Sequence, residues 1–234
     1  MSRVEIIAEI GVNHDGSIAK AKNLITVAKE CGADYAKFQF YDTENLVVHS
    51  HKKAQYQLRA NDGSNSHFDM LKKYQLRIDD LKELHKFADS EGIGFMLSAF
   101  DLQSVKMAIE FKLPYYKIPS GEITNQLSLE FIGSINQSII ISTGMSYLSE
   151  IDECLTSLVN HGQDLSKVTL LHCSSEYPAD HKNLNLNALT LLKESFNTSI
   201  GYSDHTQDIN AGILSVALGA SIIEKHITLN CNDA

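Results

Sequence analysis

Short apolar runs alternate with amphipathic segments along the whole chain. Eight of these runs are continuous rather than alternating, as in strands that are buried on both faces. They cover residues 6–11, 35–40, 94–100, 115–120, 139–144, 168–173, 199–203 and 221–227. The segments between them place apolar residues on one face of a helix, and they cover 17–31, 78–90, 102–111, 127–135, 149–161, 186–195 and 208–218.

This order predicts an α/β fold, a (β/α)8 TIM barrel that occupies residues 1–234 and lacks the final helix. An open doubly wound sheet is the alternative that the pattern leaves open. The chain ends eight residues after His226, so no segment remains for a helix after the eighth strand. Residues 41–76 form a long polar connection, which we expect to cover an active site or to be disordered.

Composition narrows the function classes. The net charge of −9 argues against a nucleic-acid surface, and hydrophobic residues at 43% fit one soluble domain with a sizeable core. The four cysteines show no metal-ligand spacing, which favours reduced thiols in a cytoplasmic protein. No apolar run approaches the roughly 18 residues of a membrane span, and no signal peptide is recognisable at the N-terminus.

Two histidines follow the last two predicted strands, His205 after the seventh and His226 at the end of the eighth. The carboxyl ends of parallel strands meet at one edge, so the two imidazoles are expected to lie close together. Neutral imidazole is the commonest nitrogen ligand of divalent metals near neutral pH. A single histidine among the ten in this chain has no such meaning, but the pair predicts a metal site with open positions.

Charged and hydroxyl side chains interrupt the other apolar strands. A buried lysine requires an anionic partner, and Lys37 and Lys117 are both predicted inside strands. Each could pair with Glu9 or Glu122 inside the barrel. Together with hydroxyls from several strands, however, the two lysines favour a cradle for a phosphate or carboxylate ligand. The hydroxyls are those of Ser98, Ser120, Ser142 and Ser203.

These strand ends resemble the sialic acid synthase family, which comprises synthases of N-acetylneuraminate and legionaminate and relatives of pseudaminate synthase. The matching stretches are A-E-I-G-V-N-H-D-G, G-A-D-Y-A-K-F-Q, Y-K-I-P-S-G-E-I-T-N, I-I-I-S-T-G-M, L-L-H-C-S-S-E-Y-P, I-G-Y-S-D-H-T and I-I-E-K-H-I-T. They occur in family order and cover the chain from Ile6 to Thr228.

The resemblance implies a NeuB-like barrel that condenses phosphoenolpyruvate with the aldehyde form of an N-acetylated amino sugar and releases phosphate. It implies that His205 and His226 bind a divalent ion, manganese first and magnesium or cobalt as alternatives. The other implied roles are phosphoenolpyruvate binding by Lys37, Ser98, Lys117, Ser120, Ser142 and Ser203, catalysis by Glu9 and Glu122, and sugar binding by Gln39 and Tyr177.

The family also implies a C-terminal antifreeze-like domain, which is absent from this chain, and a homodimer in the full-length form. Two positions depart from the family pattern, Ala99 where proline is expected and Phe40 where threonine is usual. Two other readings stay open. One is a Schiff-base aldolase that uses Lys117 or Lys37, and the other is a catalytically silent barrel that acts as a binding partner.

Overall fold

A computed structural model describes residues 3–49 and 66–230 of the chain. Eight parallel strands close into a barrel in sequence order, with the eighth strand beside the first. The barrel confirms the predicted fold class over the open-sheet alternative. The strands are β1 (Glu5–Gly11), β2 (Tyr35–Phe40), β3 (Gly94–Ala99), β4 (Tyr116–Ile118), β5 (Ile139–Ser142), β6 (Val168–Cys173), β7 (Ser199–Asp204) and β8 (Ile222–His226).

Helices alternate with the strands, as the periodicity predicts. They are α1 (Ile18–Glu30), α2 (Thr43–Leu46), α3 (His67–Tyr74), α4 (Ile78–Glu91), α5 (Leu102–Ala108), α6 (Gln126–Ile135), α7 (Leu148–Asn160), α8 (Ala188–Phe196) and α9 (Asn210–Ala217). Ser17 caps α1 by accepting a hydrogen bond from the backbone N–H of Lys20. No helix in the two described ranges combines the length and the apolar character needed to cross a bilayer.

The described parts of the connection between β2 and β3, residues 41–49 and 66–77, contain two helices that the sequence did not predict, α2 and α3. Met70 and Leu71 of α3 are buried against Tyr41, whose hydroxyl donates to the Leu71 carbonyl at 3.1 Å. These short helices were not predicted from the sequence, because each contains few apolar residues and too few turns to show a helical period. The polar stretch 61–65 at the middle of this connection lies outside the described residues.

Side chains inside the barrel form layers, since every second residue of a strand points inward. A fully apolar layer of Ile7, Met96, Ile140, Leu171 and Ile222 fills the middle. Towards the amino ends of the strands, Tyr115 donates a hydrogen bond to Glu5 at 2.8 Å. The layer above the apolar one, at the carboxyl ends of the strands, is polar. The apolar layer therefore separates this polar layer from the amino-terminal end of the barrel.

Candidate active site

The polar layer gathers inward-pointing residues from most of the strands. Each lies two residues beyond a member of the apolar layer, or at the corresponding level of its own strand. Because side chains alternate between the two faces of a strand, each of these side chains points into the barrel. Its members are Glu9, Lys37, Ser98, Lys117, Ser142, Ser203 and Glu224, and all of them are buried. Two lysines and two glutamates thus lie within one enclosed volume.

Lys37 of β2 has carboxylate neighbours on two sides. Its Nζ lies 2.5 Å from Glu9 Oε2 and 3.4 Å from Glu224 Oε2, and it donates to Ser98 Oγ at 2.8 Å. Burial alone would lower the pKa of Lys37, but the charges of Glu224 and Glu9 outweigh burial and raise it. Lys37 is therefore a charged ammonium group at neutral pH.

Lys117 of β4 occupies a less compensated position. Its Nζ donates to Ser142 Oγ at 2.8 Å and lies 3.2 Å from Glu224 Oε1. Burial lowers the pKa of Lys117, and the nearby charge of Lys37 lowers it further, in spite of Glu224. An anion that enters the polar layer would meet this lysine with only one carboxylate close to it among the described residues.

Glu224 of β8 lies close to both lysines, and no role was predicted for it from the sequence. Ser203 Oγ donates to Glu224 Oε1 at 2.9 Å. Burial favours the neutral acid, but Lys117, Lys37 and Ser203 together hold the pKa of Glu224 well below its usual range. The sequence did contain a signal for Glu224, namely its position. It precedes His226 by two residues in an apolar strand, so the two side chains lie on the same face of that strand.

Glu9 of β1 titrates in the opposite sense. Burial raises the pKa of its carboxyl, and the negative charge of Glu224 adds to the effect, against the charge of Lys37. A register shift in β1 follows Glu9, and Gly11 has a positive φ of 54° there. A Cβ at Gly11 would lie 3.2 Å from Glu9 Oε1 and 3.4 Å from the ring of His226. Glycine therefore leaves open the space between Glu9 and His226.

The two predicted metal ligands are neighbours at the mouth of the barrel. The ring centroids of His205 and His226 are 5.6 Å apart, and Tyr177 stacks on His205 with centroids 4.1 Å apart. These three residues line a cavity of about 200 Å³. The sequence prediction that strand-end positions bring the histidines together agrees with this geometry.

Both imidazoles have the protonation state that a metal ligand needs. Desolvation lowers the pKa of His205 to about 4, and the pKa of His226 is also lowered, first by desolvation and then by the charge of Lys37. His205 Nδ1 lies 2.7 Å from the Ser174 carbonyl, to which it can only donate, so Nε2 carries the lone pair, with Ser203 Oγ 3.4 Å away. The donor set fits a divalent ion.

A metal ion bound to the two histidines would need further ligands besides the side chains that the structure describes. In residues 3–49 and 66–230, no group of three or more His, Cys, Asp or Glu side chains is arranged to hold a metal ion. Two imidazoles would leave the other coordination positions to water or substrate, as in a catalytic rather than a structural site.

A second set of small polar groups surrounds Gly144, just after β5. A Cβ at Gly144 would lie 2.5 Å from Ser175 Oγ, 2.8 Å from Cys173 Sγ and 3.5 Å from Ser120 Oγ. Only glycine fits at this position without displacing these atoms. Ser120, predicted as a ligand-binding residue, therefore lies beside Gly144 at the mouth, above the polar layer.

Glu122 lies apart from the lysines, in a 3-10 turn at Ser120–Glu122 that follows β4. It lines a cavity of about 610 Å³ together with Asp101, Lys106, Asn125 and other residues from the segments that follow β2, β3 and β4. Asn125 Nδ2 donates to Glu122 Oε2 at 2.7 Å. Desolvation raises the pKa of Glu122, an effect that the Asn125 hydrogen bond partly opposes and that Asp101 reinforces.

Gln39 is half-buried at the end of β2, where it is paired in register with Ser98. It follows Lys37 by two residues and so points to the same side of the strand, one layer nearer the mouth. The structure thus groups the predicted site residues into three sets. These are the polar layer, the histidine pair with Tyr177, and Glu122 with its cavity, while Gln39 and Ser120 lie between the polar layer and the mouth.

Comparison with known proteins gives a consistent result. The NeuB family model matches residues 24–234. The chain is 45% identical over 232 residues to the N,N'-diacetyllegionaminic acid synthase of Campylobacter jejuni, covering 99% of this chain and 70% of that protein. It is 32% identical over 226 residues to the human N-acetylneuraminate-9-phosphate synthase, covering 96% of this chain and 62% of the human protein.

A solved structure agrees with the sequence comparisons. The crystal structure of N-acetylneuraminic acid synthetase from Leptospira borgpetersenii, in complex with citrate, is similar with a TM-score of 0.85 and 30% sequence identity. The match covers 98% of this chain and 74% of the Leptospira chain. The present chain therefore corresponds to between 62% and 74% of the length of these three relatives.

Proposed function

The chain belongs to the NeuB family, the sialic acid synthases, and on this premise we propose that its barrel condenses phosphoenolpyruvate with the aldehyde form of an N-acetylated amino sugar. The products are a nine-carbon 2-keto sugar acid and inorganic phosphate. The observation that carries the proposal is the buried polar layer, in which Lys37 and Lys117 converge with serine hydroxyls from other strands. Such a layer is suited to a small, highly charged anion.

Phosphoenolpyruvate has two anionic ends, and the polar layer has two lysines. We assign its binding to the Lys37–Ser98 and Lys117–Ser142 pairs, together with Ser120 and Ser203. The hydroxyls donate hydrogen bonds, and the ammonium groups offset the negative charge inside a site of low dielectric. Because Gly144 carries no side chain, Ser120 can lie close beside it at the mouth.

We propose that His205 and His226 hold a divalent ion, manganese first and magnesium or cobalt as alternatives. Bound there, the ion would act as a Lewis acid on the aldehyde oxygen of the sugar. The contribution of this chain is to present two neutral imidazoles at the mouth, with the Nε2 lone pair of His205 fixed by the Ser174 carbonyl. Tyr177, stacked on His205, and Gln39 are assigned to the sugar.

The reaction needs a group that accepts a proton from water. The C3 carbon of phosphoenolpyruvate forms a bond to the aldehyde carbon, whose oxygen takes up a proton, and C2 becomes electron-deficient. Water then bonds to C2 and loses a proton to a carboxylate, and the tetrahedral centre breaks its bond to the phosphate oxygen. As that bond breaks, its electron pair leaves with phosphate, the C2 hydroxyl becomes the ketone, and the hydroxyl proton goes to the departing phosphate. The proton that water loses to the carboxylate balances the one that the aldehyde oxygen took up when the C2–C3 double bond of phosphoenolpyruvate was used to form the new carbon–carbon bond.

Glu122 is better suited than Glu9 to accept that proton. Glu9 Oε2 is engaged by Lys37 at 2.5 Å, so its negative charge is already compensated. Glu122 faces a solvent-connected cavity, and a neutral amide is its hydrogen-bond donor. We therefore assign the base to Glu122 and the positioning of Lys37 to Glu9.

The substrate sugar proposed is the precursor of a legionaminate. The chain is 45% identical to the Campylobacter legionaminic acid synthase and 32% identical to the human N-acetylneuraminate-9-phosphate synthase. By resemblance to the family, we also propose that the protein acts in the cytoplasm, and that the full-length form is a homodimer.

Schiff-base chemistry at Lys117 is the second candidate, favoured by one observation. A lysine needs a lowered pKa to act as a nucleophile, and burial lowers the pKa of Lys117. In this reading, borohydride treatment with pyruvate would attach the ketoacid covalently to Lys117. Mass spectrometry would detect the adduct, and its absence leaves Lys117 as an anion-binding group.

Calorimetry of the two ligands tests the proposed site. Lys117→Met should abolish phosphoenolpyruvate binding, whereas Lys167→Met, which removes an exposed lysine outside the barrel, should leave it intact. His205→Ala and His226→Ala should each abolish binding of Mn²⁺, with exposed His161→Ala as the matched control. Unchanged Mn²⁺ affinity in both histidine variants would remove the metal assignment.

A further inference from the structure

Glu122 depends on a neighbour for its orientation, because it lies in a turn rather than in a strand. The turn is closed by two backbone hydrogen bonds, from Glu122 N to the Pro119 carbonyl at 2.9 Å and from Asn125 N to the Glu122 carbonyl at 3.0 Å. These bonds fix the backbone but leave the side chain free to rotate. The 2.7 Å hydrogen bond from Asn125 Nδ2 to Glu122 Oε2 fixes the carboxylate.

The amide of Asn125 is itself held in one orientation by α6. Asn125 is the N-cap of this helix, and its Oδ1 accepts a hydrogen bond from the backbone N–H of Ser128 at 3.3 Å. Because the oxygen faces a donor in the helix, the NH₂ group must face Glu122, and a flipped amide would lose both hydrogen bonds. Ser128 and Leu129 are buried, so the cap rests on a fixed part of the helix.

The charged groups around the cavity make this hydrogen bond important. Asp101 and Lys106, from the loop after β3 and from α5, line the same cavity as Glu122. The Asp101 carboxylate accepts hydrogen bonds from Ser104 and from the backbone of Asp42, and these bonds hold it in place. Asp101 and desolvation both disfavour an ionised Glu122, while the amide of Asn125 favours it.

We propose that Asn125 is a positioning residue for Glu122, holding its carboxylate ionised and directed into the cavity so that it can accept a proton. This inference rests on the proposed function in one respect, the assignment of Glu122 as the base. Asn125 itself contacts Glu122 and the helix, and it acts on the reaction through Glu122.

The variant Asn125→Asp separates this role from helix capping. Aspartate caps a helix as well as asparagine does, but it has no N–H to donate and places a second anion next to Glu122. Asn45→Asp is the matched control, since Asn45 lines the same cavity and the substitution adds the same charge without removing a donor to Glu122. Thermal unfolding checks that both variants fold.

Two readouts report on Glu122. In the first, the carboxyl of Glu122 is titrated by NMR in protein labelled with ¹³C-glutamate and assigned with Glu122→Gln. Asn125→Asp should raise its pKa by about one unit or more, and Asn45→Asp by clearly less. In the second, the acid limb of the pH profile for phosphate release should move upward by the same amount in Asn125→Asp, with kcat reduced and the KM for phosphoenolpyruvate nearly unchanged.

The outcomes distinguish this inference from the proposed function. If Glu122→Gln turns over normally, Glu122 is not the base, and both assignments fail. If Glu122→Gln is inactive but Asn125→Asp changes neither the titration nor the acid limb, the inference about Asn125 alone is wrong. If the unmodified protein releases no phosphate, the proposed function fails, while the NMR titration still decides whether Asn125 controls the Glu122 carboxylate.

Discussion

Four charged side chains are buried together at the centre of the barrel, where none would be stable alone. Glu9, Lys37, Glu224 and Lys117 alternate in charge, and each lysine lies within 3.5 Å of at least one carboxylate. Removing a charged group from water costs several kcal/mol, and only a close opposite charge offsets this. The arrangement therefore holds both lysine side chains in place before any ligand arrives.

Breaking this arrangement should cost stability. Lys117→Met leaves Glu224 with Lys37 at 3.4 Å as its remaining ammonium neighbour, and it should lower the free energy of unfolding by about 3 kcal/mol. The double variant Lys117→Met/Glu224→Gln removes the uncompensated charge and should recover at least half of that loss. Urea denaturation of both variants measures the coupling. A double variant less stable than Lys117→Met would contradict the pairing.

Gly11 provides a second prediction at the residue scale. Gly11→Ala places a Cβ in a left-handed conformation, at a cost of roughly 1–2 kcal/mol, and pushes on Glu9 and His226. Gly32→Ala is the control, because Gly32 also has a positive φ but a Cβ there would meet nothing within 4 Å. Both variants should lose similar stability, and only Gly11→Ala should weaken Mn²⁺ binding in calorimetry. Equal Mn²⁺ affinity in the two variants would show that this space is not used.

The loop after β1 ties the first and last strands together at the mouth. Asn13 Nδ2 donates to the Ile227 carbonyl at 2.8 Å, and the Ile227 N–H donates to the Glu9 carbonyl at 3.0 Å. The adjacent His14 is buried, and its Nδ1 accepts from the Gly16 N–H at 3.0 Å. A neutral imidazole therefore supports this loop.

This loop should make the fold sensitive to acid. Burial lowers the pKa of His14 from 6.5 to about 4, so between these values the unfolded chain binds a proton that the folded chain does not. The free energy of unfolding should therefore fall as pH decreases from 6.5 to 4, with His14 contributing up to about 1.4 kcal/mol per pH unit. His14→Asn should reduce the slope by the contribution of this one histidine, whereas His161→Asn, which removes an exposed histidine, should leave the slope unchanged. Identical slopes in both variants would rule out His14 as the source.

The strands were predictable, and the turns between them were less so. A buried parallel strand is a continuous apolar run, so β2 and β6 were predicted at both ends to the residue. β4 was predicted as residues 115–120, but it is shorter, because Pro119 cannot donate to a neighbouring strand and a 3-10 turn follows. Glu122 and Asn125 lie in and after this turn, so their contact could not be read from strand periodicity.

At the scale of the whole molecule, closure of the barrel assembles the site. The register between the first and last strands pairs Glu9 with His226, so residues from opposite ends of the chain become neighbours. The sequence predicted which residues reach the mouth, because strand order and alternation determine that. It did not predict which lysine pairs with which carboxylate, because those distances depend on the tilt and stagger of all eight strands.

The most direct measurement is phosphate release from phosphoenolpyruvate by this chain in the presence of Mn²⁺, with N-acetylmannosamine and the legionaminate precursor sugar supplied in turn. We expect release that requires both the metal and a sugar, is faster with the legionaminate precursor, and is lost in Glu122→Gln. No sugar-dependent release from a protein that still binds phosphoenolpyruvate and Mn²⁺ would contradict this expectation. The barrel would then be a binding module rather than a complete catalytic site.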